Sequence, residues 1–221
     1  MNTEDLQKNI LKTGTSLVGI VCSDGVVMAG DRKSTAGGIV MNKNAQKVIL
    51  VNDYLVISGT GVASDIDMLQ KLIKAELKLK ELRDKKRPSI KEAANLISLI
   101  AYKNIRQPSM IAFIAGTLVA GVNEDGSTDL FSVEPAGSVM KVTDFDANFS
   151  SGMPYILGLL ERQYKKEMTV KQGVELAIEA IKSSSERDSG SGSGIDVFTV
   201  TSDGIKQVSK QKLEAVYTER A

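Results

Sequence analysis

The sequence predicts an α+β protein: a four-layer αββα sandwich of two antiparallel sheets, packed face to face, with a helix pair on each outer face. Three observations predict this architecture. Apolar residues change between the two-residue period of strands and the 3.6-residue period of helices. The segments run in the order strands, two helices, strands, two helices, strands. Turn signals rich in Asp and Gly join neighbouring strands, which is typical of antiparallel pairing.

The first half of the chain contains a block of strands and then a pair of helices. Strands are predicted at 16–22, 26–29, 47–51 and 55–58, and they are expected to form an antiparallel meander whose first turn is 24–25. Apolar residues at helical spacing predict the first helix; they are Ile66, Leu69, Ile73 and Leu77. A capping box of Ser89 and Glu92 predicts the start of the second helix.

The second half repeats this order. Strands are predicted at 110–122, 130–133, 139–142, 195–201 and 205–208. Pro154 suits the first turn of a third helix, and a capping box of Thr169 and Gln172 predicts the fourth. The Ser–Gly stretch 189–194 is too short to separate two domains, so residues 15–221 are predicted to form one domain.

Composition excludes several classes of function. With 28 basic and 27 acidic residues, the net charge of +1 offers no attraction to nucleic acid or to an anionic membrane. The chain has no histidine and one cysteine, which excludes His-based triads, metal clusters and internal disulfides; no cofactor is predicted. Cys22 lies in an apolar strand and is expected to be buried. Without a secretory signal or a membrane span, the protein is expected to be cytoplasmic.

The junction between Gly14 and Thr15, just before the first strand, is the strongest functional signal. A threonine at a chain start carries a hydroxyl nucleophile and an α-amine with a pKa of about 7.7–8.0, which can act as a general base near neutral pH. One residue then supplies what a serine and a histidine usually share. We therefore expect residues 1–14 to be a propeptide, removed by cleavage between Gly14 and Thr15.

Two charged residues at strand ends are candidates to support Thr15. Lys47 would favour the nucleophile through its positive charge, and Asp31 would hold Lys47 in place. The alternative is an ordinary surface ion pair, worth about 0–1 kcal/mol. An ideal two-residue turn at 24–25 would put Asp31 and Thr15 on opposite sheet faces, so the catalytic interpretation predicts a bulge or a three-residue loop within 23–26.

Several separated motifs, in order, resemble proteasome β subunits, particularly those of archaea. These motifs are Gly14–Thr15, Val18–Gly19, 24–35, Lys47, 58–65, Ser151–Gly152 and 187–192. The resemblance covers nearly the whole chain from Thr15 and implies the N-terminal nucleophile hydrolase fold. It also implies a threonine endopeptidase, made as an inactive precursor that cleaves itself at Gly14–Thr15.

The resemblance assigns roles residue by residue. Thr15 would be the nucleophile, and its freed amine the base. The supporting charged and polar groups would be Asp31, Lys47, Ser151, Asp188 and Ser191. The backbone N–H of Gly61 would serve the oxyanion hole, and the backbones of Thr35 and Ala63 would hold an extended peptide. The wall of the first specificity pocket would be Ser34, Ala45, Ile49, Gly59 and Ala63. Since none of these five is charged, cleavage after bulky hydrophobic residues is expected.

The resemblance further implies partners. β subunits form two inner heptameric rings between rings of α subunits, separate ATP-dependent regulators unfold substrates, and unfolded polypeptides are cleaved inside. Two departures stand out: Ser150 precedes Ser151 where the family has glycine, and Ser16 follows Thr15 where the family has a second threonine.

Alternatives remain for the whole chain and for one loop. The main alternative is a structural β paralogue that keeps its propeptide and does not cut. A simpler bacterial threonine protease is disfavoured by the length of the chain, and an α subunit by the Gly–Thr junction. The 189–194 stretch is a flexible connector, a phosphate cradle without the usual Lys ending, or an ordered loop that delivers Asp188 and Ser191.

Overall fold

Two antiparallel five-stranded sheets form the centre of the protein, in a computed structural model that describes residues 14–110 and 112–212. The strands of sheet I are β1 (Leu17–Cys22), β2 (Gly25–Asp31), β10 (Phe145–Asp146), β11 (Gly194–Thr201) and β12 (Gly204–Lys212). Those of sheet II are β5 (Val48–Asn52), β6 (Leu55–Gly61), β7 (Ala115–Val122), β8 (Thr128–Val133) and β9 (Val139–Lys141). Sheet I has the strand order β10–β1–β2–β11–β12, and sheet II has the order β5–β6–β7–β8–β9. A separate hairpin joins β3 (Ser34–Ala36) and β4 (Ile39–Asn42).

The described residues form four helices, and both predicted capping boxes are present. The helices are α1 (Ala63–Asp84), α2 (Ile90–Ile105), α3 (Met153–Gln163) and α4 (Val170–Ser185). Ser89 caps α2 together with Glu92, and Thr169 caps α4 together with Gln172, so side chains satisfy backbone N–H groups at both helix starts. Within these described ranges, no helix combines the length and the apolar character needed to cross a bilayer.

Three apolar cores show how the layers stack. The first core lies between α1, α2 and sheet II, and Leu69, Ile73 and Leu77 of α1 are buried in it as the spacing predicted. The second lies between α3, α4 and sheet I. The third, which includes Met28 and Leu118, lies between the two sheets. The four-layer αββα sandwich predicted from the sequence is therefore confirmed.

Some predicted strands differ from those observed. β3, β4 and β10 were not predicted, and the strand predicted at 110–122 begins only at Ala115. The first strands do not form one meander, because the β3–β4 hairpin intervenes and the chain then enters sheet II. β4 escaped prediction because its sequence, IVMN, does not alternate between apolar and polar residues; in the structure all four residues are exposed.

The predicted irregularity between β1 and β2 is wrong. Their register runs without a shift from Leu17 opposite Gly30 to Cys22 opposite Gly25. The turn is a strict two-residue turn at Ser23–Asp24, one position earlier than the Asp–Gly signal indicated, and it has no bulge. By this register, the side chains of Asp31 and Thr15 would point to opposite faces of the sheet.

Candidate active site

Thr15 lies immediately before β1, and its side chain and backbone are all held by nearby groups. It is 5% exposed. Its hydroxyl donates to the carbonyl oxygen of Gly14 at 2.7 Å, and its amide nitrogen donates to Ser151 Oγ at 2.9 Å. Its own carbonyl accepts from the backbone N–H of Gly152 at 3.1 Å. The loop before α3 thus fixes both backbone polar groups of Thr15.

Lys47 and Asp31 form a buried ion pair beside the Gly14–Thr15 peptide bond. Lys47 Nζ is 2.7 Å from Asp31 Oδ1 and donates to the Gly14 carbonyl oxygen at 2.9 Å. The two side chains are 9% and 0% exposed, which rules out a surface ion pair. Burial lowers the pKa of the Lys47 ammonium below its ordinary value, and the Asp31 carboxylate opposes this shift.

Asp31 is also a backbone anchor. Its carboxylate accepts from the backbone N–H groups of Ser16 at 2.8 Å, Gly192 at 2.9 Å and Lys33 at 3.0 Å. Such charge-assisted bonds are stronger than neutral ones. Lys47, just before β5 of sheet II, reaches Asp31 at the end of β2 in sheet I. Asp31 therefore needs no shared sheet face with Thr15, and the two-residue turn is compatible with the site.

The loop between α4 and β11 contributes a second carboxylate. Asp188 Oδ2 accepts from Ser151 Oγ at 2.6 Å and from Ser191 Oγ at 2.5 Å. Ser191 is fully buried, and Gly192 donates to Asp31. Of the three interpretations of the 189–194 stretch, the ordered loop that delivers Asp188 and Ser191 is the one observed.

Gly14 fits its position only as a glycine. A Cβ built on Gly14 would collide with the Cα, carbonyl carbon and oxygen of Gly190, and a Cβ on Gly190 would collide with Gly14 Cα. The Gly14 nitrogen donates to Thr35 Oγ1 at 3.0 Å. Sequence reasoning expected the Thr35 backbone to hold a peptide; here its side chain contacts the segment before Thr15. The importance of Gly190 was not predicted.

A cavity of about 290 Å³ opens beside Thr15. All five predicted pocket residues line it, as do Gly14, Thr15, Lys47 and Gly61. Gly61 has a φ of 120°, which favours glycine, and a Cβ there would collide with the Ile114 carbonyl oxygen. Thr35 lies outside this lining.

Four further lining residues were not predicted from the sequence; they are Gln46, Ile66, Asp67 and Gln70. Ile66, Asp67 and Gln70 follow Ala63 at helical spacing on α1, so a helical projection anchored at Ala63 would have found them. The cavity thus includes a carboxylate, although Asp67 is 63% exposed and paired with Lys71 at 2.6 Å. The uncharged character of the five predicted residues does not extend to the whole lining.

Comparison with known proteins agrees with this geometry. A family model described as proteasome subunit matches residues 11–200. A proteasome subunit beta of Nanoarchaeum equitans is 36% identical over 194 residues, which cover 88% of this chain and 96% of that protein. A proteasome subunit beta of Archaeoglobus profundus is 35% identical over 212 residues, covering 96% and 95%. A proteasome subunit beta 2 of Pyrococcus abyssi is 37% identical over 203 residues, covering 92% and 94%.

The family match covers most of the chain, and each of these relatives aligns over nearly its whole length. The fold and the ordered motifs lead to the same assignment. The chain belongs to the proteasome subunit family, as a β subunit of the archaeal type.

Proposed function

We propose that this chain is a catalytic β subunit: a threonine endopeptidase, made as an inactive precursor that cleaves itself between Gly14 and Thr15. One observation carries the proposal. The Gly14 carbonyl oxygen accepts hydrogen bonds from both the Thr15 hydroxyl and Lys47 Nζ, at 2.7 and 2.9 Å. The expected nucleophile and the expected supporting cation therefore meet at the bond that processing would break.

Self-cleavage follows from this arrangement by elementary chemistry. The Lys47 ammonium polarises the Gly14 carbonyl, so its carbon becomes more electrophilic. Attack by the Thr15 hydroxyl transfers the acyl group from nitrogen to oxygen and leaves an ester. Water then hydrolyses the ester, which gives a carboxylate at Gly14 and a free amine at Thr15. Before this step the nitrogen is an amide and cannot act as a base, so the precursor is inactive.

The mature site repeats the chemistry on other peptides. The freed amine takes the proton of the Thr15 hydroxyl, which attacks the substrate carbonyl. Lys47, held by Asp31, supplies positive charge, and the backbone N–H of Gly61 is our candidate donor to the developing oxyanion. Removing one such donor in other enzymes costs about 3–4 kcal/mol. Ser151, Asp188 and Ser191 orient the amine through the hydrogen bonds described above.

The cavity supports a preference for cleavage after bulky hydrophobic residues. Its wall includes Ala45, Ile49 and Ile66, and the absence of a side chain on Gly59 keeps its floor open. A Cβ on Gly59 would contact Ile66 Cγ2 at 2.5 Å, so a larger residue there would reduce the space. The single carboxylate in the α1 part of the lining, Asp67, is largely exposed and ion-paired, so solvent and Lys71 screen its charge.

Membership of the family implies assembly with α and β subunits in rings. In such a particle the active threonines face an enclosed chamber, and we propose that unfolded polypeptides reach them with the help of separate ATP-dependent unfolding partners. A permissive apolar pocket fits this arrangement, because confinement rather than side-chain recognition would then select the substrates.

The test determines the first residue of the chain and the peptidase activity in the same preparation. The chain is assembled with its ring partners, its mass is measured, and hydrolysis of a peptide with a bulky hydrophobic residue before the cut is followed. We expect a chain that begins at Thr15 and cleaves the peptide. Thr15→Ala should retain residues 1–14 and cleave nothing, whereas Thr143→Ala, at an exposed position, should behave as wild type.

The structural alternative makes the opposite prediction. A paralogue that serves assembly alone would keep its first residues and give no hydrolysis in the same particle. An assembled wild-type chain that begins at Thr15 yet is inactive would refute the proposed function, as would a Thr15→Ala variant with unchanged activity.

A further inference from the structure

Three buried serine hydroxyls form a chain that leads from α4 to the active-site loop. Ser16, Ser184 and Ser191 are each fully buried. Ser184 Oγ, in the last turn of α4, is 2.5 Å from Ser16 Oγ, and Ser16 Oγ donates to Ser191 Oγ at 2.7 Å. Neither Ser16 nor Ser184 has a role in the proposed mechanism.

Counting protons gives this chain a single direction. Each hydroxyl has one proton to donate. Ser191 donates its proton to Asp188 Oδ2, so it accepts from Ser16. The Ser16 proton is then used, so Ser184 must be the donor in the 2.5 Å contact. Every hydroxyl from Ser184 onward therefore points its proton toward the Asp188 carboxylate.

The backbone beside the three serine hydroxyls leaves no space for a side chain at Gly152. A Cβ built on Gly152 would collide with both Ser16 Oγ and Ser184 Oγ, so the pair depends on a glycine at that position. The Ser184 carbonyl accepts from the Asp188 backbone N–H at 2.8 Å. Ser184 is thus connected to Asp188 twice, once through the main chain and once through the hydroxyls.

We infer that Ser184 and Ser16 are positioning residues for peptide hydrolysis, acting on the Thr15 amine through Ser191 and Asp188. The inference rests on the proposed function. A hydroxyl that accepts a hydrogen bond is a stronger donor, so the Ser184 proton strengthens the bond from Ser16 to Ser191 and, through it, the bond from Ser191 to Asp188. Asp188 in turn accepts from Ser151, whose oxygen then presents a lone pair to the Thr15 nitrogen at 2.9 Å.

Without the Ser184 hydroxyl, this support is lost. Ser16 still donates to Ser191, but as a weaker donor, and the bond from Ser191 to Asp188 weakens with it. Asp188 and Ser151 are then held less firmly beside the Thr15 nitrogen, so the amine is less well oriented for proton transfer and kcat falls.

Other charged groups face the same region and stay unchanged in the test. Asp31 and Lys33 come from the end of β2 and the residues after it, and Lys33 Nζ donates to the Ser189 carbonyl at 3.2 Å. Lys47 lies just before β5 and interacts electrostatically with Asp188. Arg187 adjoins Asp188 in the chain. The hydroxyls of Ser16, Ser184 and Ser191 hydrogen-bond to one another and to Asp188 rather than to these four side chains, so a Ser184 substitution leaves the Lys47–Asp31 ion pair in place.

The test compares three single variants of the assembled, processed protein with the wild type. Ser184→Ala removes the donor. Ser184→Cys keeps a similar shape but offers only a weak donor. Ser185→Ala is the matched control, because Ser185 is the next residue on α4 and its hydroxyl bonds back to the Ile181 carbonyl at 2.8 Å. Peptide hydrolysis is measured at pH 8, and kcat and KM are determined separately.

We expect Ser184→Ala to lower kcat about 5-fold with KM unchanged, because the hydroxyl chain that supports Asp188 lies outside the substrate cavity. Ser184→Cys follows Ser184→Ala, and Ser185→Ala follows the wild type.

Two results would overturn the inference alone: a kcat for Ser184→Ala that equals that of Ser185→Ala, or a Ser184→Cys variant that restores wild-type kinetics and so reveals a packing role. If Ser184→Ala does not assemble, the kcat of Ser184→Cys relative to that of Ser185→Ala decides between these outcomes. A wild-type particle that hydrolyses no peptide would instead overturn the proposed function itself.

Discussion

Replacing Gly190 by alanine should slow self-processing strongly while sparing the mature site. Gly190 has no positive φ in the structure, so its backbone conformation accepts an alanine. The added Cβ would, however, collide with Gly14 Cα and lie 3.1 Å from the Gly14 nitrogen. Under the proposed processing, Gly14 is absent from the mature chain, so the clash would disappear after cleavage.

The size of the defect follows from the contact distance. Real Cβ atoms essentially never approach another heavy atom within 3.0 Å. Restoring an ordinary carbon–carbon separation of about 3.5 Å moves Gly14 by about 1 Å. Its carbonyl oxygen and its nitrogen are held by Lys47, Thr15 and Thr35, so this shift breaks or stretches at least one of those hydrogen bonds. A misplacement of about 1 Å at a reacting group costs about 100-fold in rate.

The assay follows the loss of residues 1–14 by mass spectrometry as the particle assembles. Gly190→Ala should process about 100-fold more slowly than wild type. The same variant, produced with Thr15 already first by removal of a fusion partner, should hydrolyse peptide at close to the wild-type rate. Gly14→Ala is a companion variant: its Cβ meets the same Gly190 backbone, yet its mature chain has the wild-type sequence. Normal processing of Gly190→Ala, or an equal loss in the form that starts at Thr15, would refute this reasoning.

Three further predictions concern other parts of the chain. Burial, with a smaller contribution from Asp24, raises the pKa of the Cys22 thiol from 9.0 to about 12, so at pH 8 only about one molecule in 10⁴ carries a thiolate. A thiol reagent should therefore label Cys22 only after unfolding, and fast labelling of the native protein would contradict this. Asp196→Ala leaves the buried Arg32 guanidinium without the carboxylate that lies 2.5 Å from it, and should lower the free energy of unfolding, measured in a urea titration, by about 3–5 kcal/mol. Arg32→Met combined with Asp196→Leu removes both charges and should recover most of that loss. Two peptides, one with a hydrophobic and one with a basic residue before the cut, test Asp67→Asn. The ratio of their cleavage rates should change by less than about 3-fold, because the Asp67 carboxylate is solvent-exposed, and a larger change would make Asp67 a determinant of specificity.

The layers of the fold could be predicted because local chemistry and burial agree along most of the chain. The capping boxes at Ser89 and Thr169 start helices where predicted, and the buried stripe of α1 matches its apolar spacing. The β3–β4 hairpin could not be predicted this way, since Ile39 and Met41 are each 67% exposed and give no core pattern. Strand β10 has only two residues, too few for any periodic signal.

The start of β7 was misjudged for a different reason. The apolar run that begins near Met110 suggested a longer strand, but the strand begins at Ala115. The residue before it, Ile114, serves the site instead: its carbonyl accepts from Val62 N–H at 3.0 Å, and its own N–H donates to Asp65 at 2.9 Å. An apolar connection that braces the Gly61 turn cannot be distinguished from a strand by hydrophobicity alone.

The positions of the candidate site were more predictable than their geometry. Thr15, Asp31 and Lys47 come together as the motifs indicated, although the β1–β2 turn lacks the bulge that they were expected to need. The β1–β2 hairpin belongs to one sheet, whereas Lys47 approaches from beside the other sheet and spans the gap. The alternation of side chains along a hairpin determines which sheet face a side chain points to only for residues of that hairpin. Sites formed where two sheets meet are therefore not subject to it.

The contacts of Gly14 suggest why one site can serve both processing and peptide hydrolysis. Gly14 lines the same cavity as Thr15, and its carbonyl is held by the groups that we propose act on a substrate carbonyl. Gly14 thus occupies the position that we propose for the acyl part of a substrate. Under the proposed function, its peptide bond keeps the nitrogen of Thr15 in an amide, so the site is blocked and its general base is absent for the same structural reason. The proposed cleavage would remove the occupant and create the base together, which would couple the start of activity to the chemistry of the site itself.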